Sequence, residues 1–139
     1  MDDSSLERAA ICDSLEDIDE RFRGVDCLVA GLPCQPWSCA GKQEGKDDDR
    51  WLWPLFCEVI RKVEPKWVFL ENVPGLVGGE MEGELLDISA DDDSRGLSLI
   101  LGSLADLGFD AEWLCLPASA VGASHKRNRW FCVAHRTKF

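Results

Sequence analysis

The sequence predicts an α/β domain in which parallel strands share a sheet with an antiparallel strand at its edge. Three observations carry this prediction. Two short apolar runs, residues 27–30 within a strand at 25–30, and residues 67–70, read as interior strands. Between them Leu52, Leu55, Phe56, Val59, Ile60 and Val63 recur on one helical face. Strand, helix and strand at this spacing form a βαβ unit, whose strands run parallel through a right-handed crossover. Near the end, strand-like runs at 112–116 and 129–134 are joined by a connector without an amphipathic helix, which favours an antiparallel pair at the sheet edge.

Residues 1–24 are polar and acidic. Ser4 and Glu7 stand at capping-box spacing, which predicts a short helix over 5–10, and 9–12 reads as a short strand. The first confident strand runs straight into Gly31-Leu32-Pro33-Cys34-Gln35-Pro36-Trp37-Ser38. Cys34 therefore belongs just past the strand's carboxyl end, the edge at which open α/β sheets bind ligands. A cysteine held there by a rigid proline is a candidate nucleophile. Taken alone, a small buried hydrophobe is the commoner fate of a free cysteine.

Residues 39–50, rich in Gly, Lys and Asp, form a long polar loop beside that position. Pro54 sits in the first turn of the helix that follows, and Glu64-Pro65 ends it. Glu71-Asn72-Val73-Pro74 comes directly after the second strand. Adjacent strands lie about 4.8 Å apart, so Cys34 and Glu71 are expected to face one crevice. Residues 75–93 are Gly-rich, acidic and without periodicity, a loop with no chemistry of its own. Leu97, Ile100, Leu101, Leu104 and Leu107 mark a second helix, stopped by Gly108. An antiparallel last strand starts at the edge where the parallel strands end, so Lys126, Arg127 and Arg129 are expected to point toward the same crevice.

The chain has 139 residues, 45% hydrophobic and 29% charged, the composition of one soluble globular domain. A formal net charge of -11 argues against non-specific coating of nucleic acid. The basic residues near the end, however, offer a local phosphate-contacting edge, or simply a solvated tail. No apolar run approaches a membrane span, and the start lacks a signal-peptide core, so a cytoplasmic protein is expected. Seven scattered cysteines without a C-x-x-C pair fit reduced thiols and no structural metal.

Three motifs in order give the chain a resemblance. Pro33-Cys34-Gln35, Glu71-Asn72-Val73 and Arg127-Asn128-Arg129 resemble the hallmark motifs of the C5-cytosine DNA methyltransferases, over nearly the whole chain from Asp13 onward. The resemblance implies a partial Rossmann-like, S-adenosylmethionine-dependent methyltransferase fold in a single partial catalytic domain. It implies S-adenosylmethionine as cofactor, DNA as partner, and neither membrane nor metal. Cys34 would supply a thiolate to C6 of cytosine, making C5 nucleophilic; a free thiol is only a few per cent ionised at neutral pH, and neighbouring arginines raise that fraction. Glu71 would neutralise charge at N3 as an acid. Arg127 and Arg129 complete the catalytic set, Arg129 as the better match for holding the base carbonyl. The base must leave the duplex to reach such a pocket. Gln35, Ser38 and Arg50 are the implied DNA contacts. Asp13, Pro33 and Trp53 match positions lining the family's cofactor pocket.

The departures shape the expectation. The family's Gly-rich first motif and the acidic residue that holds the ribose are absent, as are the target recognition domain and final helix. Ser124-His125 stand where the family usually has proline followed by glutamine or histidine. The chain reads as a catalytic segment, with a non-enzymatic binding or assembly module and one piece of a split enzyme, paired with a complementing methyltransferase chain, as alternatives. A tRNA-methylating relative would use the same residues. A cysteine hydrolase would need a basic partner, and neither His125 nor His135 has a triad context.

Overall fold

A computed structural model describes residues 12–33, 52–77 and 95–137. These contain strand β1 (Cys27–Gly31), helix α1 (Trp53–Val63), strand β2 (Trp67–Asn72), helix α2 (Arg95–Asp106), and strands β3 (Phe109–Pro117) and β4 (Asn128–Arg136). The strands form one sheet in the order β1-β2-β4-β3. β1 and β2 are parallel, as the βαβ pattern predicts, and β4 runs antiparallel to both β2 and β3. The predicted antiparallel pair is present, but the reversed strand lies one place in from the edge. β3 leaves α2 in the same direction as β2 and stands one strand-width away. β4 folds back from β3 and fills the gap, hydrogen-bonding on both sides.

The alternation of side chains fixes which face is buried. Val68 and Leu70 of β2, and Trp130, Cys132 and Ala134 of β4, point to one face, where Phe56 and Ile60 of α1 and Leu97, Ile100 and Leu104 of α2 cover them. The Trp53 indole N–H donates to Ser103 Oγ at 3.1 Å, tying α1 to α2 on that face. α1 stops at Glu64, which turns into left-handed backbone at φ 51° before Pro65. Gly108, at φ 83°, provides the left-handed residue that ends α2, its N–H reaching the Ala105 carbonyl.

The opposite face is uncovered among the described residues. Val29 (68% exposed), Trp67 (47%), Leu114 (52%) and Val133 (40%) lie open there, and the half-buried rings of Phe69 and Phe131 pack side by side between β2 and β4. A sheet with one dry face and one open apolar face has satisfied half of its hydrophobic potential.

β1 starts two residues later than expected and takes in Gly31, while the other three strands extend beyond their predicted runs. β2 continues through Glu71 and Asn72, so Glu71 is inside the strand instead of in the turn after it. The expected helix at 5–10 and most of the strand at 9–12 lie outside the described residues; Cys12 itself is irregular. Residues 15–17 and 20–22 form single 3₁₀ turns capped by Ser14 and Asp19. The segment returns along α1, where Lys62 Nζ donates to the Ile18 carbonyl. Of the loop at 75–93, the described part begins with a 3₁₀ turn at Pro74–Val77, and its Leu76 is fully buried.

Burial pushes the Cys132 thiol up to about 11, and the thiols of Cys57 and Cys115 upward as well. A thiol raised in the folded state loses its proton first in the unfolded chain. Its contribution to stability is therefore intact below 9.0, the ordinary value, and is lost as pH climbs toward about 11. Urea unfolding at pH about 8 and about 10.5 should show a steeper decline for the native chain than for Cys132→Ala. Equal declines would show that Cys132 does not carry the effect.

Candidate active site

The site is built from the alternation of β2. Because Leu70 and Asn72 face the helices, Glu71 faces the open side, at the carboxyl end of the strand. In register it stands beside Gly31 of β1 and Phe131 of β4. Arg129 lies two residues before Phe131, on the same face. Its side chain crosses to Glu71, with Nε to Oε1 at 2.8 Å. The pair is 26% and 40% exposed, open enough to meet a ligand and too solvated to be a large source of stability.

Two neighbours shape this pair. A Cβ placed on Gly31 would lie 3.4 Å from Glu71 Oε2, an ordinary contact, so the carboxylate lies directly against the end of β1. Arg129 Nη1 donates to the Asn128 carbonyl at 2.9 Å, which orients the guanidinium and leaves further N–H groups directed outward. Arg127 is exposed, in left-handed backbone at φ 27°. Such a conformation is uncommon outside glycine and is a recurring feature of functional turns. Lys126 is exposed beside it.

The structure thus brings Glu71 and Arg129 into direct contact, with Arg127 two residues away. Pro33 lies two residues past the end of β1 and is exposed at this same sheet edge. Cys34, Gln35, Ser38 and Arg50 lie outside the described residues. Trp53 is a core residue, 3% exposed, packed on Phe56 and bonded to Ser103. Asp13 is exposed, and among the described residues no hydrogen bond or ion pair links it to Glu71 or Arg129. Of the three residues implied for a cofactor, Pro33 stands exposed at this sheet edge. No group of three or more His, Cys, Asp or Glu able to hold a metal occurs among the described residues, and none of their helices is long and apolar enough to cross a membrane.

Gly31 and Asn72 are the site-shaping residues that motif reading passed over. Both stand inside the motifs, but neither carries a charge or a reactive atom. The available signal was positional: a glycine ending one apolar strand and an asparagine ending the other.

The fold is shared with solved methyltransferases. A methyltransferase of Entamoeba histolytica superposes with a TM-score of 0.60 at 19% identity, covering 92% of this chain and 38% of its own. A Spodoptera frugiperda DNMT2 variant superposes at 0.55 and 23% identity, covering 83% of this chain and 31% of its own. Residues 7–139 match the model of the C-5 cytosine-specific DNA methylases, and the chain belongs to that family. The type II methyltransferase M.NgoMIV of Neisseria gonorrhoeae is 35% identical over 120 residues, which is 86% of this chain and 35% of that protein. The type II methyltransferase M.BanI of Aneurinibacillus aneurinilyticus is 40% identical over 115 residues, 81% of this chain and 24% of that protein. The chain thus spans about a quarter to a third of the length of these relatives.

A stability cycle checks whether the ion pair is a structural element. Glu71→Ala, Arg129→Ala and the double variant should give a coupling of at most about 1 kcal/mol in urea unfolding. A coupling of several kcal/mol would mark the pair as a fold-holding contact.

Proposed function

We propose that this chain is the catalytic segment of a DNA (cytosine-5-)-methyltransferase that works through a Cys34 adduct. The observation that carries the proposal is the Glu71–Arg129 pair at the carboxyl edge of β1 and β2, with the chain leaving β1 there through Pro33 into Cys34. The pair sets a carboxyl group, which becomes a donor only once it takes up a proton, beside a guanidinium fork that donates to the carbonyl of a pyrimidine.

In this reading the Cys34 thiolate forms a bond to C6 of a flipped cytosine, and the C5–C6 π electrons move into the ring. Glu71, as the acid, gives a proton to N3 and absorbs the charge. Arg129 donates to O2 and fixes the ring plane, and Arg127 adds positive potential beside the thiolate. S-adenosylmethionine is the donor that the family implies, and it supplies an electrophilic methyl group for the activated C5. A solvent base then takes the C5 proton, its electrons re-form the C5–C6 bond as the Cys34 thiolate leaves, and N3 returns its proton to Glu71. Gln35, Ser38 and Arg50 are the proposed DNA contacts. With a net charge of -11, DNA contact is confined to this edge, aided by the basic run at 126–129.

A second reading is favoured by the uncovered face. Val29, Trp67, Leu114 and Val133 are exposed, and β1 pairs only with β2 among the described residues. A strand edge beside an apolar face is a docking surface for more of a methyltransferase domain. The segment then acts as an assembly module, completed by a complementing methyltransferase chain.

In the complete enzyme, Cys34→Ser should abolish methyl transfer while leaving the unfolding transition in place. Near-normal turnover by the serine variant would rule out the covalent route. For residues 1–139 alone, the lack of a Gly-rich first motif and of the acidic residue that holds the ribose predicts negligible affinity for S-adenosylmethionine. Several absent hydrogen bonds, each worth about 0.5–3 kcal/mol, weaken binding by orders of magnitude. Calorimetric titration checks this, and micromolar binding by the monomer would contradict it.

A further inference from the structure

We infer that the open face of the sheet takes an amphipathic helix of a partner that carries two basic side chains along one flank. The inference rests on the assembly reading above and names the chemistry of the partner. β2, β4 and β3 stand side by side, so Trp67, His135 and Asp110 form one row across this face, and Phe69, Val133 and Glu112 form the next. The Trp67 and His135 rings pack at 5.5 Å, with Asp110 beside them on the outer strand. Aromatic and apolar groups thus hold the middle of the face, and carboxylates hold its β3 margin. Asp110 and Glu112 are exposed, and among the described residues neither makes a salt bridge. Glu71, by contrast, is already paired with Arg129.

This pattern selects the occupant. A parallel pair such as β1 and β2 is ordinarily covered on both faces by helices, and α1 and α2 cover one. A second copy is disfavoured by charge. Face-to-face docking would bring the same carboxylates of both copies into one interface, between bodies that each carry a net charge of -11. A polyanion is repelled for the same reason. A cationic helix is attracted, and the spacing suits it. Asp110 and Glu112 lie on one side of β3, about 6.8 Å apart along the strand. Residues i and i+4 of a helix lie about 6 Å apart along its axis and on one face. A helix laid along the strands, its apolar stripe on Trp67, Phe69 and Val133, therefore sets an i, i+4 pair of Arg or Lys on its flank opposite both carboxylates.

The test uses the 139-residue chain and two synthetic helical peptides of identical composition and identical apolar stripe. One carries two arginines at i and i+4 on the flank of the stripe; its isomer carries them on the far side of the helix. Binding is followed by the fluorescence anisotropy of a dye on the peptide. The flank peptide should bind about three- to tenfold more tightly than its isomer at low salt, and the gap should close at about 1 M salt. Asp110→Asn/Glu112→Gln should make the two peptides equal. Glu16→Gln/Asp17→Asn, in the 3₁₀ turn beside α1, should leave the gap intact. Trp67→Ala should weaken both peptides. Urea unfolding reports whether each variant is folded; if the Asp110/Glu112 double variant is not, Glu112→Gln alone carries the test and should narrow the gap. If Trp67→Ala is not folded, Val133→Thr takes its place. Equal binding of the two isomers to the native chain, weakened by Trp67→Ala, would overturn the proposal and leave the assembly reading standing. So would loss of the gap in Glu16→Gln/Asp17→Asn, because net charge would then act in place of the β3 margin. Binding of neither peptide, or binding that Trp67→Ala leaves unchanged, would overturn both. A dimer in sedimentation that Trp67→Ala dissolves would overturn the proposal by placing a second copy on the face.

Discussion

The double pairing of β2 is the constraint on which the rest depends. β2 is bonded to β1 on one side and to β4 on the other, and its helix-side residues Val68 and Leu70 are buried by α1 and α2. That burial fixes the register, since a slip of one residue would send Glu71 into the core and Leu70 into solvent. Because β1 runs with β2 and β4 against it, the exit of β1, the end of β2 and the start of β4 meet at one edge. Each brings one group there: the chain leading to Cys34, the Glu71 carboxylate and the Arg129 guanidinium. Hydrophobic burial on one face thus places polar chemistry on the edge.

Much of this was legible in the sequence because it rests on periodicity. The βαβ unit, both helix stops and the antiparallel pair follow from apolar spacing, from Pro65 and Gly108, and from the helix-free connector after β3. The site was legible wherever a charged residue abutted an apolar strand, as Glu71 does. Three things were not legible. The place of β4 inside the sheet depends on the gap left by the α2 crossover, which no local pattern encodes. The extension of β2 through Glu71 and Asn72 comes from pairing with β4, which overrides the polar character of those residues. Trp53 packs into the core and its indole bonds to Ser103, fifty residues away in the chain, a partner that no local pattern encodes.

The molecule divides its labour between faces. The covered face holds the packing and the raised thiols; the open face holds the ion pair together with the exposed Val29, Trp67, Leu114 and Val133. Glu71 and Arg129 sit on that open face, so whatever covers Phe69 and Phe131 also controls water access to the pair. A strongly acidic body with a basic run only beside the site gives the same division in charge: contact with a polyanion is favourable at the edge and unfavourable elsewhere.

The central claim is that thiol, acid and arginine share one edge. Crystals of the chain derivatised with methylmercury would locate the Cys34 sulfur by anomalous scattering against the Glu71–Arg129 pair. The account predicts mercury on Cys34 at the carboxyl edge of β1 and β2, facing the pair across a gap the width of one pyrimidine ring. Mercury on Cys34 buried on the helix-covered face, or directed toward the amino edge near Trp67, would contradict it.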